Sequence, residues 1–155
     1  MATTVTSATL KVTLKEDIVI NGRQQGSESV LSIPGINEIS KRIATVTTTE
    51  ATILTFSSAV GPGTYIAANV KYLRLTNLDD ENHVTFTFKD EDNTEFRIKV
   101  DAGHSFVYPG DNAGGFVDTM KASNAALASG LSDLYDVTAD ADTASCDIEI
   151  FVASV

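Results

Sequence analysis

Residues 90–95, Asp90-Glu91-Asp92-Asn93-Thr94-Glu95, set four carboxylates within six positions, a density that invites calcium chemistry. A calcium loop of the EF-hand kind wraps its ion with Asp-x-Asx-x-Asx-Gly and a glutamate at the twelfth position. This stretch has neither that glycine nor that spacing. Two further acidic loops, 79–82 and 140–142, are candidates to pool oxygens with it. Loops 79–82 and 90–95, however, lie at opposite ends of the strand between them, so solvated turns and no metal are expected. His83 and His104 are the only histidines, and neither has a cysteine or second histidine at ligand spacing. There is no Gly-x-Ser-x-Gly, and no spacing singles out a Ser-His-Asp set. The run Pro109-Gly110-Asp111-Asn112-Ala113-Gly114-Gly115 lacks the Gly-Lys-Ser/Thr ending of a phosphate loop, and Asp111 would repel phosphate. It reads as a long connection. Cys146 is the single cysteine, so no internal disulfide forms. Its apolar strand pattern makes it a small buried hydrophobe in a chain made for a reducing cytosol. Without tryptophan, a glycan site would depend on tyrosine, and Tyr72 is the candidate. No cofactor and no enzyme activity are expected.

Charge narrows the partners. Of the net −10, residues 101–155 carry nine acids against one base, Lys121. A phosphate backbone is repelled by that third of the chain, so nucleic acid is not an expected partner. No run of about 18 apolar residues occurs, so no spanning helix and no membrane role are expected. Met1-Ala2-Thr3-Thr4-Val5-Thr6 has neither a basic start nor an apolar core, so no signal peptide is expected.

The elements that must position these residues are strands. Threonine, valine and isoleucine are abundant, and apolar residues recur with period two. In Val84, Phe86, Phe88 and in Phe96, Ile98, Val100 they share one face. Pairing 88 with 96, 86 with 98 and 84 with 100 leaves the three-residue loop Glu91-Asp92-Asn93, with Asn93 left-handed. The same test pairs Leu75 with Phe86 and Leu73 with Phe88, giving a three-stranded meander. Its wet face carries Tyr72, Arg74, Thr76, Thr85, Thr87, Lys89, Glu95, Arg97 and Lys99. A closing hairpin sets Tyr135, Val137 and Ala139 opposite Ile148, Cys146 and Ala144. Asn21-Gly22, Pro34-Gly35, Gly61-Pro62-Gly63 and Pro109-Gly110 read as turns between strands. Residues 120–130 read as a loop with one or two helical turns. The expected fold is all-β: a single-domain antiparallel β-sandwich of jelly-roll type over residues 9–155, with eight to ten short strands and little helix. Residues 1–8 form an N-terminal arm, either frayed or ordered on a partner.

Three segments, "KYLRLTNLDDENHVTFTF", "IKVDAGHSFVYPGDNAGG" and "LSDLYDVTADADTASCDIEIFVAS", resemble the C-terminal half of small virion proteins of tailed bacteriophages. The resemblance covers residues 70–155 and rests on hairpin-encoding patterns. It implies a non-enzymatic virion component assembled in the host cytoplasm, foremost a head decoration or cement protein. The implied partners are the major capsid protein or other virion proteins, together with further copies of the chain, a trimer among the options. Contacts are expected from the arm (Ala2, Thr3, Thr4, Val5, Thr6), from Tyr72, and from the loop residues Asp111 and Asn112. A tail component, or a glycan-binding adhesin on the same sandwich, is the alternative.

Overall fold

Alternating apolar and polar residues form strands throughout residues 4–108 and 133–155, which this computed structural model describes. The expected arm residues Ala2 and Thr3, the loop residues Asp111 and Asn112, the Pro109-Gly110 turn and the 120–130 segment lie outside them. Thirteen strands occur among the described residues, more than the eight to ten expected. The excess is three very short pieces, Val19–Ile20, Arg23–Gln24 and Thr64–Ile66, too short to show a period. One 3-10 turn, Ala67–Asn69, is the only helical element among the described residues.

The chain divides into two compact units, Met1–Glu38 with Val155, and Ile39–Ser154. The boundary expected after residue 8 is thus not where the contacts divide. The physical reason is pairing: β1 (Ala8–Lys15) and β4 (Glu28–Ile36) form a two-stranded sheet of their own. Between them β2 (Val19–Ile20) and β3 (Arg23–Gln24) make a minimal hairpin. Its two-residue turn is Asn21-Gly22, with φ of 52° and 75°, the left-handed pair that a type I′ turn requires. Pro34-Gly35 is not a turn between strands. It lies inside β4, where Gly35 takes φ 79° and the register against β1 shifts between Ala8 and Leu10. A glycine in this conformation supplies a bulge without ending the strand.

The second unit is a sandwich. Its strands are β5 (Glu38–Val46), β6 (Ala51–Ser57), β7 (Thr64–Ile66), β8 (Val70–Asn77), β9 (Val84–Asp90), β10 (Glu95–Val100), β11 (Ser105–Tyr108), β12 (Leu134–Ala141) and β13 (Cys146–Ser154). One sheet runs β10-β9-β12-β6-β7 and the other β11-β8-β13-β5. The pairs β9–β10, β8–β11, β6–β12 and β5–β13 nest around the turn at residues 91–93 and fall alternately in the two sheets. The described strands of this unit are therefore one long hairpin rolled up on itself, which is jelly-roll order. Inner faces contribute Leu54, Phe56, Leu73, Leu75, Val84, Phe86, Phe88, Val137, Ile148 and Ile150 to one core, with the Cys146 thiol buried among them.

The central hairpin has the expected register, with Phe88 opposite Phe96, Phe86 opposite Ile98 and Val84 opposite Val100. Asn93 sits at φ 62°, as its loop requires. Asn93→Gly is expected to leave thermal stability nearly unchanged, whereas Asn93→Ala should cost about 1 kcal/mol, because a Cβ without a polar tip is strained there. Chemical denaturation of both variants measures the difference. The two other expected hairpins do not form. β8 pairs with β13 and β11, while β9 pairs with β12 and β10, so Leu73 and Leu75 belong to the sheet opposite Phe86 and Phe88. Likewise β12 and β13 lie in different sheets. Strands facing each other across a core need the same apolar period as strands side by side, so periodicity alone does not separate the two cases.

Candidate functional site

Four surfaces carry chemistry that sequence spacing does not bring together. On the outer face of the β10-β9-β12-β6-β7 sheet, Glu50 reaches in from the loop between β5 and β6. The Lys89 ammonium donates to Glu50 Oε1 at 2.9 Å and the Thr138 hydroxyl donates to the same oxygen at 2.5 Å. Arg97 stands 3.8 Å from Oε2. The Thr138 and Lys89 hydrogen bonds hold the Glu50 carboxyl below the usual carboxylate range, and Glu50 in turn holds Lys89 up. Thr87, between its cross-strand partners Arg97 and Thr138, is completely buried, although its position on the expected wet face predicted exposure. Thr87 Oγ1 and Asp136 Oδ1 are buried without a hydrogen-bond partner among the described residues.

Burial pushes the Asp136 carboxyl up, against the opposing pull of Lys89. A carboxyl whose pKa is raised by folding favours the native state while protonated. That contribution is lost as pH rises through the folded value. Asp136→Asn is therefore expected to raise the midpoint of thermal unfolding by a few degrees near pH 7, with the gain shrinking as the solution is acidified below the carboxylate range. Calorimetry at several pH values reads both features. Glu50 has the opposite sign: its contribution is present at neutral pH and is lost as pH falls through its depressed value.

The outer face of the other sheet holds a second chain of charges. Arg74 Nη2 donates to Glu149 Oε1 at 2.5 Å, Lys41 Nζ lies 3.1 Å from Oε2, and Arg74 Nη1 donates to Thr76 Oγ1 at 2.6 Å. The Arg74 guanidinium also sits 5.8 Å from the Phe151 ring centroid. Tyr72, expected to be a wet contact residue, is only 5% exposed and packs edge-on against Phe151. Packing of Phe151 on the outer face, not a wrong face assignment, removes it from the surface.

The acidic loops serve the backbone. Asp79 Oδ1 accepts from the amides of Glu81 and Asn82 at 2.9 and 2.6 Å, and these bonds hold its carboxyl down. Asp90, expected in a wet tip, is 3% exposed; Oδ1 accepts from the Thr94 amide at 2.6 Å. Loops 79–82 and 140–143 do meet: Thr143 donates to Asn82 Oδ1 at 2.7 Å, and His83 Nδ1 is 3.5 Å from Asp142. No group of three or more His, Cys, Asp or Glu is placed to hold a metal ion among the described residues. His104 Nδ1 contacts its neighbour's carbonyl, Ala102 O, at 2.8 Å. A groove of about 280 Å³ beside β7 is lined by Ser57, Ser58, Ile66, Glu91, Asp133 and Leu134, among others.

The two-stranded ribbon carries the fourth surface. The β1–β4 register sets Leu10 opposite Ile33 and Val12 opposite Leu31, with Leu14 on the same face. Leu14 and Leu31 remain 63% and 40% exposed. The other face carries Lys11, Thr13 and Lys15 with Ser32, Val30 and Glu28. At the tip, Gln24 Oε1 accepts from the amides of Ile18, Gln25 and Gly26, and Gln24 Nε2 donates to Asp17 at 2.6 Å. A Cβ on Gly26 would stand 1.9 Å from the Glu16 carbonyl oxygen, so only glycine fits there. The arm residues Thr4, Val5 and Thr6 are exposed and precede β1. Leu10, Val12 and Leu14 were legible as a strand face; that their partner would be residues 28–36 was not.

These features define the class of protein as an all-β jelly-roll sandwich with an amphipathic β-ribbon in the same chain. Comparison with protein-family models, with curated proteins and with solved structures returns no match.

Proposed function

We propose that this chain is a non-enzymatic virion structural protein, a head decoration or cement protein that binds an assembled capsid shell through the major capsid protein. The observation that carries the proposal is the ribbon. It spends residues 8–36 on a sheet of two strands whose apolar face leaves Leu14 and Leu31 exposed and Leu10, Val12 and Ile33 half-buried, a form that two strands alone stabilise poorly. Apolar side chains left exposed on a sheet of only two strands suit an assembly site. The jelly roll, an architecture shared by capsid and lectin domains, adds support at the level of fold analogy. A protein that binds only the assembled shell stabilises it by mass action. DNA-filled heads purified with the protein should carry it at lattice stoichiometry, and heads lacking it should lose heat and salt resistance. A few copies per particle would instead indicate a tail component, and absence from particles would overturn the proposal.

A second reading has one observation in its favour. The groove beside β7 offers Ser57 and Ser58 hydroxyls with Glu91 and Asp133 carboxylates, and Tyr135 next to Leu134 is exposed. Hydroxyls, carboxylates and an exposed ring suit a saccharide. Glycan-array binding that weakens on Tyr135→Ala would establish the adhesin.

A further inference from the structure

We infer that the apolar face of the ribbon, Leu10, Val12, Leu14, Leu31 and Ile33, is covered by the same face of a second copy of this chain. The inference deepens the assembly role proposed above by naming the ribbon's partner. Three observations carry it.

The first is incompleteness. β1 and β4 hydrogen-bond only each other among the described strands, and a lone two-stranded ribbon is marginal in water. Stacking two such ribbons face to face makes a two-layer, four-stranded unit with an interior.

The second is the match of surfaces. One face carries Leu10, Val12, Leu14, Leu31 and Ile33 with Ser29, and the other carries Lys11, Thr13, Lys15, Glu28 and Ser32 with Val30 as its one large apolar residue. Two copies of the dry side meet without burying a charge.

The third is charge. Residues 1–38 hold three basic and four acidic side chains, a net −1, which leaves −9 on residues 39–155. Two jelly rolls repel one another strongly, whereas two ribbons barely do. The ribbon is thus the segment through which an acidic chain approaches its own copies.

Size sets the strength. Eight-residue strands give a face of roughly 27 Å by 10 Å, well under the ~800 Å² per partner of a standard interface. Weak, concentration-dependent self-association is expected, not a permanent oligomer.

Sedimentation equilibrium of the full chain from micromolar to millimolar concentrations tests this. The native chain should move from 16.4 kDa toward twice that mass. The double variant Leu14→Lys, Leu31→Lys should stay at 16.4 kDa with an unchanged far-UV spectrum, while Ser32→Lys on the polar face should associate like the native chain. Leu31→Cys provides a check that leaves the ribbon's fold alone. The native thiol, Cys146, is buried, so oxidation should give a cross-linked pair of chains through residue 31. A native chain that is monomeric at every concentration, or a double variant that retains the native mass, overturns the inference. If the native chain is monomeric but the double variant no longer binds heads, the ribbon's partner is the shell, and only the decoration role survives. If ribbons pair but no form binds heads, the decoration role falls and this inference stands.

Discussion

Phe88→Ala is expected to destabilise the jelly roll by about 3–5 kcal/mol, a large part of the stability of a domain this size. Phe88 is completely buried and stands at the junction of three strands. Its ring stacks on Phe96 of β10 at 4.7 Å and meets Phe106 and Tyr108 of β11, in the facing sheet, at 5.4 and 6.1 Å. Truncation removes the transfer energy of the ring and leaves a cavity that three rigid aromatics cannot close. Urea unfolding followed by fluorescence and circular dichroism should show a lower midpoint with an unchanged slope. Phe88→Leu, which keeps most of the volume, should recover well over half of the loss. An alanine variant within 1 kcal/mol of the native chain would mean that the aromatic cluster does not close the sandwich as described.

Asn77→Ala should cost about 3 kcal/mol although it removes no apolar surface. Asn77 is fully buried at the end of β8. Its amide donates to the carbonyls of Asn82 at 2.9 Å and Val100 at 3.1 Å, and its Oδ1 accepts from the Asp79 amide at 3.0 Å. One side chain thus ties the corner between β8 and β9 to the end of β10. Truncation leaves buried backbone groups without that partner. Asn77→Asp sharpens the test, because a carboxylate would face two carbonyl oxygens. Its folded pKa must then rise, so its stability should be poorest at neutral pH and recover on acidification. Equal losses for both variants at every pH would contradict this account of the corner.

These two residues also show what was legible beforehand. The β9–β10 hairpin was readable in full, because period two fixes the faces and an odd loop ending in Asn93 fixes the register. The strands on either side were readable as strands but not as partners. Phe86 and Leu75 share an apolar phase whether they lie side by side or face to face, and only the sandwich decides. Tyr72 and Thr87 were assigned to water by that phase, correctly for the face and wrongly for exposure, since Phe151 packs on one and the other is buried between its cross-strand partners Arg97 and Thr138. Glu50 carries no local signal: its partners, Lys89 and Thr138, lie 39 and 88 positions away. Pro34-Gly35 misled because a left-handed glycine serves a bulge as readily as a turn. The ribbon was hidden because the run at 30–33 fits a sandwich strand as well as a partner for residues 8–15.

The nested pairing has a kinetic consequence. Apart from β9–β10, every antiparallel partnership in the second unit joins strands distant in sequence; Arg74 and Glu149, bonded across β8 and β13, are 75 positions apart. Closing such loops costs entropy before any contact repays it, so folding is expected to be slow for the domain's size. Among the described strands of this unit, the 84–100 hairpin is the one piece able to form early. β13, between β8 and β5, cannot take its place until residues 146–154 have been synthesised. Until then β8 exposes Leu73 and Leu75 along an unpaired edge, and the nascent chain is at its most prone to aggregate.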